Sequence, residues 1–170
     1  MFEASVDRSQ PKPDLYRDLA GAVEALLAGE PDALANLANA GALLKDALDR
    51  INWCGFYLLK GGELVLGPFQ GKTACVRIPL GRGVCGTAAG KRETVVVPDV
   101  HAFPGHIACD SDSRSEIVVP ILEGERLRGV LDVDSPEVGR FDDEDRAGLE
   151  NFVRALTARV DWDSLATPHR

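Results

Sequence analysis

The chain has 170 residues, 45% of them hydrophobic, which suits one domain that buries its own core, and no second functional module is expected. A formal net charge of -8 argues against a nucleic-acid partner, because binding a phosphate backbone draws most of its affinity from Lys and Arg. No stretch approaches the roughly 18 apolar residues of a membrane span, and the opening MFEASVDRSQPKPD has no basic segment followed by an apolar run. The expected compartment is therefore the cytoplasm, where thiols stay reduced and permanent disulfides are rare. Any bridge among Cys54, Cys75, Cys85 and Cys109 is then expected to be transient and catalytic.

Residues 1–13 are polar, end in PKP and read as a flexible arm. From Asp14, placed to cap the first turn, Leu15, Leu19, Val23, Leu26 and Leu27 recur at helical spacing. A second helix is predicted after Pro31, which suits a first-turn position, with Leu34, Leu37, Leu44 and Leu48 on one stripe. The period then changes. INWCGFYLLK, ELVLGP, ACVRIPL, ETVVVPD, SEIVVPIL and RLRGVLDVDS are short, rich in β-branched and aromatic residues, and bounded by Gly, Pro or Asp, which predicts six strands. Between them, GRGVCGTAAG reads as a helical turn opened by glycine, and the span from Pro98 to Arg114 as a long functional loop. The acidic run DDED opens a last helix that turns Leu149, Phe152, Val153, Leu156 and Val160 inward. A single domain over 14–163 and a short tail over 164–170 follow. Helices at both chain ends around a run of strands predict an α+β fold: an approximately six-stranded, mainly antiparallel sheet with the terminal helices on one face.

Strand parity suggests where chemistry sits. In GVLDVDS, Leu131 and Val133 point one way and Val130, Asp132 and Asp134 the other. In SEIVVPI, Ile117, Val119 and Ile121 share a face, and Glu116 shares the opposite one with Val118. If the apolar face packs on the helices, three carboxylates line the other face, and the loop carrying Cys109 can close over them. Like charges held close repel and keep at least one carboxyl protonated, which suits a cationic ligand or a proton donor near neutral pH.

A free cysteine is most simply a small buried hydrophobe. For Cys109 the flanking Gly105, Asp110, Ser111, Asp112 and Ser113 describe an exposed loop instead, which favours a reactive thiol. Cys75 and Cys85 form no CxxC pair, and with His101, His106 and Cys109 they are too scattered for a zinc motif, so no metal is expected. The two histidines read as ordinary loop residues and Cys54 as a packing residue. Trp53 and Tyr57 can form an aromatic wall or simply fill the core.

The runs LVLGPFQGKTACVRIPLGRGVCGTAAG, VVVPDVHAFPGHIACDSDSRSEIVVPI and GVLDVDSPEVGRFDDED resemble the free methionine-R-sulfoxide reductases, stand-alone GAF-domain enzymes, over roughly residues 50 to 150. The resemblance implies a GAF-like fold and reduction of free methionine (R)-sulfoxide, with thioredoxin as reductant and no cofactor. By position it implies Cys109 as the catalytic nucleophile, Cys75 as the resolving cysteine that bridges to it, and Cys85 as an auxiliary or alternative resolving cysteine. It places Glu116, Asp132 and Asp134 at the substrate-binding carboxylates, with Glu116 also the candidate proton donor, and Trp53 and Tyr57 at the aromatic pocket. Cys54 matches no motif position. The backbone N–H groups of the loop from Gly105 to Ser111 are candidates for the substrate carboxylate. The likeness also admits a homodimer, although no interface stripe is evident. Two other readings share these residues: a ligand-sensing GAF module without chemistry, and a thiol redox sensor that changes shape when its disulfide forms.

Overall fold

The computed structural model describes residues 6–106 and 110–165. Helix α1 covers Lys12–Leu27 and α2 covers Ala33–Ala47. α1 begins ahead of the expected Asp14 cap, because Pro13 is tolerated in a first turn, where its missing N–H would be unpaired anyway. Asp14 instead lies inside that turn and pairs with Arg17 Nη1 at 2.7 Å. The start of α2 also differs from expectation. Pro31 stays outside it, and Asp32 caps it by accepting from Ala35 N at 2.8 Å. Leu34 is 58% exposed, off the predicted stripe, since the inward phase is set by Ala33, Leu37, Ala40 and Leu44.

Six strands follow: β1 Trp53–Lys60, β2 Glu63–Gln70, β3 Arg77–Pro79, β4 Val95–Val97, β5 Ser115–Glu123 and β6 Arg126–Ser135. They form one sheet in the order β3-β2-β1-β6-β5-β4, and every pairing is antiparallel. α3, Gly83–Lys91, joins β3 to β4, and α4, Asp143–Thr157, closes the chain on the sheet. The predicted long loop carries a short 3-10 turn over Val100–Ala102. Val100 N donates to Arg114 O at 2.9 Å and Arg114 N to Ser135 O at 2.7 Å, so both loop ends are tied toward β6.

The two faces of the sheet bury different things. Cys54, Phe56, Leu58, Ile117, Val119, Ile121, Leu131 and Val133 pack with residues of α1, α2 and α4 in the larger apolar core. Full burial of each large side chain contributes roughly 1.5–3 kcal/mol. On the opposite face Trp53, Tyr57, Val118 and Val130 pack against Val84, Cys85, Ala88 and Ala89 of α3. α3 is thus a helix with its own core, more than the turn its glycines suggested. Gly86 allows the close seat: a Cβ there would stand 2.3 Å from the Pro79 carbonyl oxygen.

α1 and α4 are joined by a buried ionic cluster. Asp145, fully buried, accepts from Tyr16 O–H at 2.7 Å and Arg140 Nη1 at 3.1 Å through one oxygen, and from Lys12 Nζ at 2.7 Å and Asp142 N at 2.9 Å through the other. A buried carboxylate so fully partnered avoids the cost of an isolated charge. The adjacent contact is closer still, because a Cβ on Gly148 would fall 2.0 Å from Tyr16 Cγ. The ring is enclosed and cannot retreat. Gly148→Ala is expected to lower the unfolding free energy by about 1–3 kcal/mol, the usual penalty for overpacking, read as a shifted urea midpoint. A wild-type midpoint would mean that the two helices can slide apart at no cost. Among the described residues, no helix is long and apolar enough to cross a membrane.

Candidate functional site

The pocket face of the sheet holds a cavity bordered by Tyr57, Cys85, His106, Glu116, Asp132 and Asp134. Its polar walls follow from register. Glu116 of β5 lies opposite Asp134 of β6, and Asp132 lies opposite Val118, so alternation carries all three carboxylates to the side away from the large core. On the other flank of β6, Asp134 faces Trp53 and Asp132 faces Gly55. α3 supplies Cys85 from above, its Sγ 3.9 Å from Glu116 Oε1.

All three carboxylates are buried, with 6% exposure for Glu116, 7% for Asp132 and 9% for Asp134. Burial pushes Glu116 well above the usual carboxylate range, and the nearby Asp132 and Asp134 charges push it further. Burial raises Asp134 as well, then Asp132 adds to it, while a hydrogen bond from Ser113 works the other way. Asp132 is raised by burial to about 6, less than its burial alone would impose, because hydrogen bonding with Cys85 and Glu116 favours its ionised form. The cluster therefore holds fewer negative charges than it has carboxyl groups, and at least one proton is available for transfer. The Asp132 Oδ1 atom is buried without a hydrogen-bond partner among the described residues. Such an orphan is costly unless something else donates to it.

Trp53 and Tyr57 both lie on this face. Tyr57 borders the cavity and donates its O–H to the Cys75 carbonyl at 2.9 Å. Trp53 stacks behind it, 6.0 Å between ring centroids, with Phe69 on it at 5.3 Å, and donates Nε1–H to Lys72 O at 3.0 Å. Of the pair, Tyr57 borders the cavity and Trp53 lies behind it in the stack.

The cysteines fall into distinct environments. Cys75 is half of a disulfide, and Cys54 and Cys85 carry free thiols. Cys109, the expected nucleophile, lies outside the described residues, as does part of the loop proposed for the substrate carboxylate. Cys54 sits in the large core, where burial pushes its thiol up to about 12 and Sγ–H donates to Gly41 O at 3.4 Å, consistent with packing alone. Burial also drives the Cys85 thiol well above its ordinary value, followed by the Asp132 and Glu116 charges, so a thiolate is strongly disfavoured there.

Two residues that line the cavity, His106 and Ser113, and the neighbouring Asn52 have no site role assigned from the sequence. His106, read as an ordinary loop residue, borders the cavity with Nε2 3.9 Å from Glu116 Oε2; burial lowers its pKa. His101 remains exposed. Asn52 Nδ2 donates to Asp110 Oδ2 and to Ser113 Oγ, both at 3.0 Å, and fastens the segment after Cys109 to the start of β1. Ser113 is buried beneath that segment. Cys85 Sγ and one carboxylate oxygen each from Glu116 and Asp132 lie within 4.8 Å of one another, a set of potential metal donors that linear spacing does not reveal.

A six-stranded antiparallel sheet with helices on one face and a polar, helix-capped cavity on the other defines a GAF domain, and the GAF domain family's profile matches residues 34–161. The free methionine-R-sulfoxide reductase of Escherichia coli (strain K12) is 56% identical over 145 residues, 85% of this chain and 88% of that one. The X-ray structure of free methionine-R-sulfoxide reductase from Neisseria meningitidis in complex with its substrate superposes with a TM-score of 0.90 at 47% identity, covering 98% of this chain and 100% of that one. A crystal structure from Burkholderia vietnamiensis, described as a GAF sensor protein, has a TM-score of 0.87 at 58% identity, covering 89% and 96%. The chain belongs to the free methionine-R-sulfoxide reductase family of GAF-domain proteins.

Proposed function

We propose that this protein reduces free methionine (R)-sulfoxide to methionine, with Cys109 as nucleophile and Cys75 as the resolving thiol. The observation that carries the reading is the buried trio Glu116, Asp132 and Asp134 beside Tyr57, because it suits a small cationic substrate whose oxygen must be protonated. The Cys109 thiolate attacks the sulfoxide sulfur, and Glu116, held neutral, gives its proton to the departing oxygen. The S–S bond to the substrate breaks as the hydroxyl passes to the Cys109 sulfur, so methionine leaves and Cys109 becomes a sulfenic acid. Cys75 then condenses with it to a disulfide, releasing water. Thioredoxin, itself oxidised to its disulfide, returns both cysteines to thiols. Cys85 has an auxiliary part: its thiol is held beside Glu116 rather than poised as a thiolate.

Recognition of the free amino acid rests on charge. Its ammonium group can donate to the unpaired Asp132 Oδ1 and to Asp134, and a peptide-bound residue has no such group. The substrate carboxylate needs donors in turn. The first turn of α3 borders the cavity through Gly83 and Val84, and no side chain caps it, so its N–H groups suit an anion.

The test is a single turnover. Reduced protein without recycling reductant is mixed with free methionine (R)-sulfoxide and the methionine formed is counted, expected at about one per chain because one dithiol is consumed. The S epimer and a peptide containing methionine sulfoxide should yield none. Equal yields from the free and peptide substrates would remove the ammonium argument. No methionine from any of them would favour a ligand-sensing module, the reading that the Burkholderia vietnamiensis relative's description suggests.

A further inference from the structure

We infer that Cys85, Glu116 and Asp132, with solvent in a fourth position, form a binding site for a thiophilic divalent cation of the zinc type, which would exclude the substrate from the cavity. The inference concerns the same pocket as the proposed reaction but requires no turnover. Three donors, one thiol and two carboxylates, come from α3, β5 and β6, each held by regular structure, and their nearest atoms lie within 4.8 Å of one another. Cys85 Sγ is 3.9 Å from Glu116 Oε1, and the other oxygen of Glu116 is 3.9 Å from His106 Nε2. Tetrahedral zinc bonds sulfur at about 2.3 Å and nitrogen or oxygen at about 2.0 Å, which spaces neighbouring ligand atoms about 3.3–3.5 Å apart. The Cys85–Glu116 contact therefore needs to contract by about 0.4 Å, and the other donor pairs, all within 4.8 Å, by at most about 1.4 Å.

A cluster of acids alone would not make a site. Here the independent sign is Asp132 Oδ1, buried with no hydrogen-bond partner among the described residues, on a residue only 7% exposed. The donor types then choose the ion. Calcium and magnesium favour six or more oxygen ligands, several of them water, whereas a thiol and two carboxylates in a small enclosed space match a borderline-soft four-coordinate cation. Binding would expel protons from Cys85 and the carboxyl groups to solvent, with no change in oxidation state. The ion would also occupy the oxygen assigned to the substrate ammonium, so metal and amino acid should compete.

Cobalt(II) serves as the spectroscopic probe, because a thiolate ligand and tetrahedral geometry give charge-transfer and ligand-field bands that an all-oxygen surface site lacks. The full-length chain carrying Cys75→Ser and Cys109→Ser, which leaves Cys85 as the thiol in the cavity, is titrated with cobalt(II). One equivalent should bind with both bands, and zinc should displace it. Added Cys85→Ser should abolish the charge-transfer band, and Asp132→Asn, nearly isosteric and so a safeguard against misfolding, should weaken binding at least about tenfold, or 1.4 kcal/mol. Excess free methionine sulfoxide should weaken it in proportion to its own occupancy. Absence of the bands, or bands unchanged by both Cys85→Ser and Asp132→Asn, would overturn the metal site. Methionine release by metal-free wild type, assayed separately, reports on the reductase reading, so either can fail without the other.

Discussion

Reduced Cys109→Ser protein is expected to release no measurable methionine from free methionine (R)-sulfoxide, a loss of at least about a thousandfold, while Cys75→Ser should still release about one methionine per chain and then stop. The two cysteines differ in timing. A nucleophile is needed before the product forms, whereas a resolving thiol is needed only to clear the sulfenic acid that remains. Serine retains the size of the side chain but its hydroxyl does not ionise near neutral pH, so the first step has no thiolate to start it. The measurement is methionine counted in a single turnover, together with trapping of the sulfenic acid by a dimedone reagent. Cys75→Ser should accumulate the trapped species and Cys109→Ser should not. Methionine from Cys109→Ser at the wild-type rate would move the nucleophile elsewhere, and the buried Cys85 would become the next candidate.

The second large effect is expected at Glu116. Glu116→Gln should lower turnover by about a hundredfold or more, within the range of a lost general acid, while Asp112→Asn should change it by less than about fivefold, because an exposed ion pair is worth at most about 1 kcal/mol. Asp112 is exposed and pairs with Lys72, whereas Glu116 is buried between Cys85, His106 and the two aspartates. The amide of glutamine fills the same space but carries no acidic proton. Because Glu116 is already held neutral, glutamine changes no charge in the cluster, so the unfolding free energy of Glu116→Gln should stay near that of wild type even as activity collapses. This divergence separates chemistry from folding. Similar activity losses in both variants would remove the reason for giving Glu116 the proton.

Much of this architecture is legible in the sequence, and the reasons are local. Periodicity of two in SEIVVPI and GVLDVDS assigns Glu116, Asp132 and Asp134 to one side, because a strand has only two sides and the opposite one is wholly apolar. Element ends were less legible. Asp14 and Asp32 are equally good capping residues by type, but α1 starts ahead of Asp14 with Pro13 in its first turn, so Asp32 caps a helix and Asp14 does not. Leu34 shows the same limit, since a leucine near the stripe cannot be told from one on it until the neighbouring layer fixes the helix phase.

Alternation and runs of neighbouring residues suffice for the α+β order of elements, the apolar and acidic faces of the central strands, and the likeness that marks Cys75, Cys85 and Cys109. Which distant groups meet depends on the folded chain. It seats α3 on the pocket face through Gly86 and brings Cys85 to 3.9 Å from Glu116, turns His106 toward the same carboxyl, and lets Asn52 hold Asp110 and Ser113 from more than fifty residues away. Those contacts arise from the antiparallel register of β1, β6 and β5 and from loop closure across it, and neither residue type nor spacing along the chain encodes a distance between them.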